Sequence, residues 1–322
     1  MPAASSTFID PAALLRIRSL ELRARAVMEG FWKGLHRSPH HGFSAEFSEY
    51  RPYARGDDPR FMDWKVAART DRWYVKKFEE ETNLRCQIVV DASASMDYGS
   101  CGYAKSEYAA TLAATLALFV MQQGDAPGLT LFDDAVLDHL PARRRAGQLH
   151  ALLMHLQRAV ERRKVERGRR NPDQSLARAL FPLGMLVRRR AMLVILSDFL
   201  TRLDGLESQL ALFRAMGHEI ILVQTLDPAE VDFPFEQSGA YEDLETGRRL
   251  VLDPRRARDS YLKRLGAHLE LLRSVCARQN ITYRLARTDA PLESFLFEFL
   301  SARRRFASPQ GARRRQSTSG VA

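Results

Sequence analysis

The stretch from Cys86 to Met96 constrains the fold of this chain more than any other part of its sequence. Its first half is apolar and β-branched, which is typical of a strand buried on both faces of a sheet. The strand runs directly into Asp91, Ser93 and Ser95, so a carboxylate and two hydroxyls occupy alternate positions. We therefore predict an α/β sheet in which the carboxyl end of a buried strand carries polar side chains.

A second buried strand ends in the same way, because residues 191–196 are apolar and are followed by Ser197 and Asp198. If the two strands are neighbours in a parallel sheet, Asp198 should lie beside Asp91 at the carboxyl edge, where ligand sites of such sheets form. A carboxylate with two hydroxyls suits a hard cation such as Mg²⁺, with Mn²⁺ or Ca²⁺ as alternatives. Turn chemistry explains the same residues without a metal, since Asp and Ser often bond to their own backbone at strand ends.

The Asp-x-Ser-x-Ser strand end, the later aspartate strand and the order of the elements resemble a von Willebrand factor A domain with its metal-ion-dependent adhesion site. The resemblance implies four metal ligands, Asp91, Ser93, Ser95 and Asp198. The family has a threonine before the second aspartate strand, where this chain has Gln174. Asp173 and Ser175 flank that position, and either is an alternative source of a fifth ligand.

A segment dense in aromatic, arginine and acidic residues precedes this region. The characteristic residues of this segment are Arg51, Tyr53, Gly56, Asp57, Asp58, Arg60, Asp63 and Trp64. Their pattern resembles the signature of the bacterial family called domain of unknown function fifty-eight, in which such a pattern stands ahead of an A-type domain. The acidic residues Asp57, Asp58 and Asp63 have a structural explanation, namely a helix that starts at Asp58 and buried ion pairs with arginines. The alternative is that they have a catalytic role or bind a second metal.

The length of 322 residues allows one large α/β domain with additions, or two small domains. We predict an N-terminal helix and the signature segment at residues 1–82, and a disordered basic tail at residues 303–322. Between them, residues 83–302 should form a von Willebrand factor A-like, Rossmann-like domain, with a mostly parallel sheet and helices on both faces. The predicted helices include Pro11 to about Gly30 and Gln174 to Leu186.

The cysteine content and the N-terminus indicate a reducing compartment. Three cysteines, Cys86, Cys101 and Cys276, are too few and too scattered for a disulfide framework or a zinc site. The first ten residues do not resemble a signal peptide, and the longest apolar run, residues 109–121, is shorter than a membrane span. We therefore expect a cytoplasmic protein without a transmembrane segment.

The net charge of +10 is concentrated in two patches. Residues 143–170 carry a net charge of +8 and residues 303–322 a net charge of +6, so the rest of the chain is acidic. Clustered arginines gain affinity for nucleic acids by releasing counterions from phosphates, which makes nucleic-acid binding one alternative function. The first patch lacks interleaved aromatic residues, however, and a solvated helix face explains it equally.

The chain has neither a Gly-x-x-x-x-Gly-Lys-Ser/Thr loop nor a His-Glu-x-x-His motif, so its sequence indicates neither a nucleotide-driven motor nor a zinc protease. A metal at Asp91 and Asp198 would allow a metal-dependent phosphoester hydrolase as a second alternative. We favour a non-enzymatic adaptor that binds a partner's carboxylate through the metal. The family resemblance implies an ATPase of the MoxR class of the AAA+ superfamily as partner, together with an unknown client protein.

Overall fold

The computed structural model describes residues 8–37, 50–52, 69, 73–76, 84–165 and 175–307. The chain divides into two compact units: residues 1–34 together with residues 84–322 form the larger unit, and residues 35–83 form the smaller. In the smaller unit, strands β1 (Tyr50–Pro52) and β2 (Tyr74–Lys76) pair in an antiparallel arrangement.

One mixed sheet forms the centre of the larger unit. The described strands of the larger unit, inside and outside this sheet, are β3 (Arg85–Asp91), β4 (Ala126–Phe132), β5 (Val136–Leu140), β6 (Met192–Ser197), β7 (Glu219–Leu226), β8 (Gly239–Glu242), β9 (Arg249–Leu252) and β10 (Thr282–Arg287). The order across the sheet is β10-β7-β6-β3-β4-β5, and every pairing is parallel except that of β4 with β5. Strands β8 and β9 form a separate antiparallel hairpin.

Helices cover the sheet and bury its apolar strands. They are α1 (Pro11–Leu15), α2 (Leu20–Arg37), α3 (Lys105–Gln122), α4 (Gln148–Val165), α5 (Leu176–Leu180), α6 (Leu183–Leu186), α7 (Leu206–Ala215), α8 (Pro228–Asp232), α9 (Pro254–Arg278) and α10 (Leu292–Ala307). Helix α3 contacts β3 and β4, while Val89 and Leu193 belong to a core that also contains residues of α5, α6, α7 and α9. Within the ranges given above, every helix is too short or too polar to cross a membrane.

The N-terminal helices belong to the larger unit. Phe31 of α2 is fully buried, and its ring lies 6.0 Å from Phe119 and 4.6 Å from Phe297 between centroids. The backbone N–H of Ile9 donates to Oε1 of Glu293, and a Cβ at residue 30 would lie 2.7 Å from that oxygen, which explains the glycine there. The sequence analysis groups this helix with the signature segment at residues 1–82, whereas the structure places residues 1–34 with the larger unit. The contacts that hold the helix there join residues that are distant in sequence, so no local pattern predicts them.

The predicted α/β class and mostly parallel sheet are confirmed, and three helices differ from the predictions. The first helix is interrupted at residues 16–19, where the Ser19 hydroxyl accepts from Leu22 N at the start of α2, and it continues to Arg37 instead of ending at about Gly30. The helix predicted up to Leu186 is divided into α5 and α6, because Pro182 has no N–H to donate. Helix α10 continues to Ala307 instead of ending at residue 302, so the first part of the predicted tail is helical. Residues 308–322 lie outside the described residues.

Candidate functional site at the carboxyl edge of the sheet

Strands β3 and β6 are direct neighbours, and their register assembles the site. Val90 lies opposite Leu196, so Asp91 and Ser197 end their strands side by side. The Ser197 hydroxyl donates to Oδ2 of Asp91, joining residues that are 106 positions apart in the sequence. Asp198, the next residue after β6, is buried as well, so two carboxylates meet at this edge.

Both carboxylate oxygens of Asp91 accept hydrogen bonds. The backbone N–H of Ser93 donates to Oδ1 at 2.8 Å, and the hydroxyl of Ser197 donates to Oδ2 at 2.5 Å. Burial is the main cause that raises the pKa of Asp91, and the negative charge of Asp198 raises it further. An ionised Asp91 therefore costs free energy in the folded chain unless a cation offsets its charge.

The two serines of the strand end form a close pair. Their hydroxyl oxygens lie 3.0 Å apart, and Ser93 is fully buried. Two adjacent ligands of an octahedral Mg²⁺ ion, each about 2.1 Å from the metal, are separated by about 3.0 Å. The spacing of the serine pair therefore matches one edge of such an octahedron.

A buried lysine, Lys105 of α3, holds the second carboxylate. Its Nζ donates to Oδ2 of Asp198 at 2.9 Å and to Oε1 of Glu230 at 2.6 Å, and its side chain is fully shielded from solvent. Burial alone would raise the pKa of Asp198, but the charge and hydrogen bond of Lys105, together with hydrogen bonds from Leu200 N and the Ser95 side chain, outweigh burial and lower it. Because a cation in the first turn of a helix opposes the helix dipole, the two carboxylates must stabilise Lys105 at this position.

A further carboxylate reaches the site from the β8–β9 hairpin. Glu245 lies in the turn of this hairpin, and its Oε1 accepts from the backbone N–H of Ser95 at 2.7 Å, across 150 residues of sequence. Asp243 fixes the turn by accepting from the backbone N–H of Glu245 at 2.9 Å and from the Thr246 hydroxyl at 2.6 Å. The chain thus places one of its own carboxylates against the serine pair.

The site opens into a cavity of about 1110 Å³. Ser95, Asp198 and Glu245 contribute to its lining, together with residues of α7 and α9, the loop after β6, and Asp243 and Thr246 of the hairpin turn. In this lining, Nε2 of His268 is hydrogen-bonded to the carbonyl oxygen of Phe199 at 2.7 Å. The volume exceeds that of a typical small-molecule pocket, so a side chain or short segment of another protein can enter.

The donor atoms decide which metal the site suits. No group of three or more His, Cys, Asp or Glu side chains is arranged for metal binding in the part of the chain that the structure describes. The candidate set instead combines two carboxylates with two neutral hydroxyls, and Lys105 already offsets the charge of Asp198. Such an all-oxygen set fits a hard divalent cation that still needs one more anionic ligand.

The other predicted site residues are not brought to this cluster. Ser175 is the N-cap residue of α5, where its side chain makes no capping hydrogen bond, and it does not line the cavity. Asp173 and Gln174 lie outside the described residues, so a fifth ligand from this segment stays a prediction. Arg51 lies in β1, and the remaining signature residues lie outside the described residues: Tyr53, Gly56, Asp57, Asp58, Arg60, Asp63 and Trp64.

The sequence analysis missed three charged residues of the site. Lys105 could have been noticed as the one basic residue of α3, because it stands at the first position of the helix, where the helix dipole disfavours a cation. Glu230 forms a capping box with Asp227, a motif that is visible as Asp-Pro-x-Glu. Glu245 carries no such signal, because a hairpin turn 150 residues away reveals nothing about its contact with Ser95.

Comparison with known proteins identifies the family. Residues 49–270 match the family described as Protein of unknown function DUF58, which is more than half of the chain. The chain belongs to this family. The predicted DUF58 membership is thereby confirmed.

Relatives of this DUF58 chain include uncharacterised proteins of Mycobacterium bovis and Mycobacterium tuberculosis, each 30% identical over 303 residues and covering 92% of both chains. Among solved structures, an aerotolerance-related membrane protein from Bacteroides fragilis covers 64% of this chain and 92% of its own, with 16% identity and a TM-score of 0.41. The conserved hypothetical protein BatB from Bacteroides thetaiotaomicron covers 69% of this chain and 99% of its own, with 11% identity and a TM-score of 0.42.

Proposed function

We propose that this protein is a cytoplasmic, non-enzymatic adaptor that makes metal-dependent contacts with other proteins. In this proposal residues 83–302 form a von Willebrand factor A-like domain with a metal-ion-dependent adhesion site. The residues that hold Mg²⁺ are Asp91, Ser93, Ser95 and Asp198. A carboxylate of the partner supplies the remaining anionic ligand.

The observation that carries this proposal is the serine pair beside Asp91. The two hydroxyl oxygens, 3.0 Å apart, are neutral donors, so they bind a cation without cancelling its charge. Lys105 further reduces the negative charge that Asp198 offers. A cation held by this set keeps its attraction for an external carboxylate, and the adjoining cavity gives that carboxylate access.

The family resemblance supplies the class of partner. AAA+ ATPases of the MoxR class are often encoded beside members of this family, and we propose such an ATPase as the partner in the assembly or maturation of protein complexes. The adaptor would connect the ATPase with a client protein. Either of these two proteins is a source of the carboxylate that reaches the metal.

Replacement of Ser95 by Ala tests this proposal. We expect the binding of a MoxR-type ATPase of the same organism to require Mg²⁺ and to weaken about tenfold or more in Ser95→Ala, because one metal ligand is lost. Binding is measured by biolayer interferometry with Mg²⁺ in excess and with EDTA. The matched control is Ser294→Ala, which removes an exposed hydroxyl from the start of α10. Equal binding in Mg²⁺ and EDTA would contradict the proposal.

Glu245 gives the proposal a regulatory element. Its carboxylate lies against Ser95, in the region that the partner's carboxylate must reach. We infer that the hairpin holds this place in the isolated chain and has to release it when the partner binds. The hairpin can move without disturbing the core, since β8 and β9 pair only with each other among the described strands.

Replacement of Glu245 by Ala should therefore strengthen the binding of the partner. One hydrogen bond to a charged acceptor no longer competes, which corresponds to about a tenfold gain in affinity. The control is Glu242→Ala on the same hairpin, whose exposed carboxylate pairs with Arg249. The same interferometry assay in Mg²⁺ measures both variants. Unchanged or weaker binding of Glu245→Ala would show that Glu245 does not compete with the partner.

The hydrolase alternative makes a separate prediction. The protein would hydrolyse a phosphoester in the presence of Mg²⁺, and the substitution of Asp91 would abolish this turnover. A histidine, His268, lines the same cavity, but its Nε2 is engaged by the carbonyl oxygen of Phe199. The lysine nearest to the carboxylates, Lys105, is fully buried between Asp198 and Glu230. Neither group is free to serve as a base through those nitrogen atoms, so we favour the adaptor.

A further inference from the structure

A second concave site lies at the opposite edge of the sheet, where the parallel strands begin. Arg85 is the first residue of β3, and Arg188 and Arg189 lie in the short segment between α6 and β6. Strand β5 runs antiparallel, so its end and the following Arg143 return to this same edge. Three segments that are distant in sequence thus deliver four arginines to one place.

These arginines line a cavity of about 390 Å³. Its other lining residues are polar or apolar and include no Asp or Glu: Gln87, His139, Pro141, Ala142, Leu186, Val187 and Ala191. Among the described residues, none of the four guanidinium groups lies within ion-pair distance of a carboxylate. Four positive charges therefore converge on a concave surface, and no carboxylate of the described residues pairs with them.

The acidic groups of the flanking segments are engaged elsewhere. Asp138 on β5 contacts Nδ1 of His155, and Oδ1 of Asp125 accepts from the backbone N–H of Leu84 at 3.2 Å. Arg188 is itself positioned, because its Nε donates to the carbonyl oxygen of Met185 at 3.2 Å. This bond leaves the terminal nitrogens of Arg188 as donors for a ligand.

The cavity also has a fixed polar floor. Gln87 is almost fully buried, and its Nε2 donates to the hydroxyl of Thr130 at 2.9 Å and to the carbonyl oxygen of Leu140 at 3.2 Å. The hydroxyl of Thr130 also contacts Nδ1 of His139 at 2.9 Å. A Cβ at Gly128 would approach Oε1 of Gln87 to 2.2 Å, so the glycine makes room for this floor.

We propose that this cavity binds the diphosphate group of a small molecule. Guanidinium groups bind phosphate oxygens through paired N–H donors, and four of them match the charge of a diphosphate. The volume lies within the usual range for small-molecule sites, and apolar residues such as Leu186 and Val187 can contact an organic moiety. Nucleic acid is a poorer match, since strand binding requires an extended groove with aromatic side chains for stacking.

Calorimetry with inorganic pyrophosphate and with adenosine diphosphate tests this proposal. The titrations are run in EDTA, so that the carboxyl-edge site and its cation do not contribute. We expect both probes to bind, and their relative affinities distinguish a free diphosphate from one that carries an organic moiety. The double variant Arg143→Gln/Arg189→Gln should bind both probes about a hundredfold more weakly, because two charged hydrogen-bonding groups are lost.

The control variant is Arg144→Gln/Arg145→Gln, which changes the net charge equally at adjacent positions that do not line the cavity. All four substituted residues are exposed, so both variants should melt at the wild-type temperature. If the control variant bound the two probes as weakly as the double variant, general electrostatic attraction would explain the effect and the proposal would be overturned. It would also be overturned if neither probe bound the wild type, or if a single-stranded oligonucleotide bound more tightly than both probes and lost its affinity in the double variant.

Discussion

Replacement of Lys105 by Met should lower the free energy of unfolding by about 3–5 kcal/mol, the typical cost of breaking a buried ion pair by removing one partner. Lys105 is the cation between Asp198 and Glu230, and all three side chains are largely shielded from water. Without it, two carboxylates stay buried near Asp91 and lose the cation that pairs with both of them. Urea denaturation monitored by circular dichroism measures the change.

The matched control for this variant is Arg202→Met. Arg202 pairs with Asp204 at 2.8 Å, but both side chains are mostly exposed, so its loss should cost less than about 1 kcal/mol. Mg²⁺ should recover part of the stability lost in Lys105→Met, because a cation can then offset the same carboxylates. If Lys105→Met were as stable as Arg202→Met, Lys105 would not be the group that stabilises the buried carboxylates.

Replacement of Asp91 by Asn should abolish Mg²⁺ binding and yet make the metal-free protein more stable. Asparagine keeps the oxygen that accepts from Ser93 N, while the negative charge beside Asp198 disappears. We expect the free energy of unfolding in EDTA to rise by about 1 kcal/mol at pH 7, as is common when a functional site is relieved of its strain. Calorimetric Mg²⁺ titration and urea denaturation measure the two effects.

The sign of this stability change follows from the pKa of Asp91. Burial, and then Asp198, raise that pKa above its ordinary value of 3.8, so the ionised side chain destabilises the folded chain at neutral pH. The advantage of Asp91→Asn should therefore shrink as the pH falls through the folded-state pKa toward 3.8. The control Asp259→Asn, on an exposed part of α9, should change neither quantity. An unchanged Mg²⁺ affinity of Asp91→Asn would show that the negative charge of Asp91 does not hold the metal.

Local patterns in the sequence were sufficient for much of the fold. The apolar runs that end at Asp91 and Asp198 predicted two buried parallel strands, and these strands are the neighbours β3 and β6. The break between α5 and α6 was harder to predict, although Pro182 was visible, because the helical pattern continues on both sides of it. The docking of α2 depends on Phe119 and Phe297, which no window around Phe31 contains.

The candidate site was predictable only where the strands themselves carry it. Asp91, Ser93 and Ser95 stand within five residues, and Asp198 follows an equally clear strand. Lys105 and Glu245 reach the site from elements whose distance from it depends on tertiary packing. The arginine cavity is a further example: Arg143 was seen as part of a basic run, whereas its position beside Arg85 and Arg189 results from the antiparallel direction of β5.

The packing of the N-terminal helices on α10 has a consequence for how the protein is made. Phe31 is synthesised early, but Phe297, which covers it, leaves the ribosome more than 250 residues later. Until then, an aromatic surface that is buried in the finished unit is exposed to other nascent chains, a condition that favours aggregation. A fragment designed for expression should therefore keep residues 8–37 together with residues 84–307. A fragment that contained the sheet without α2 and α10 would lack the contact between Phe31 and Phe297.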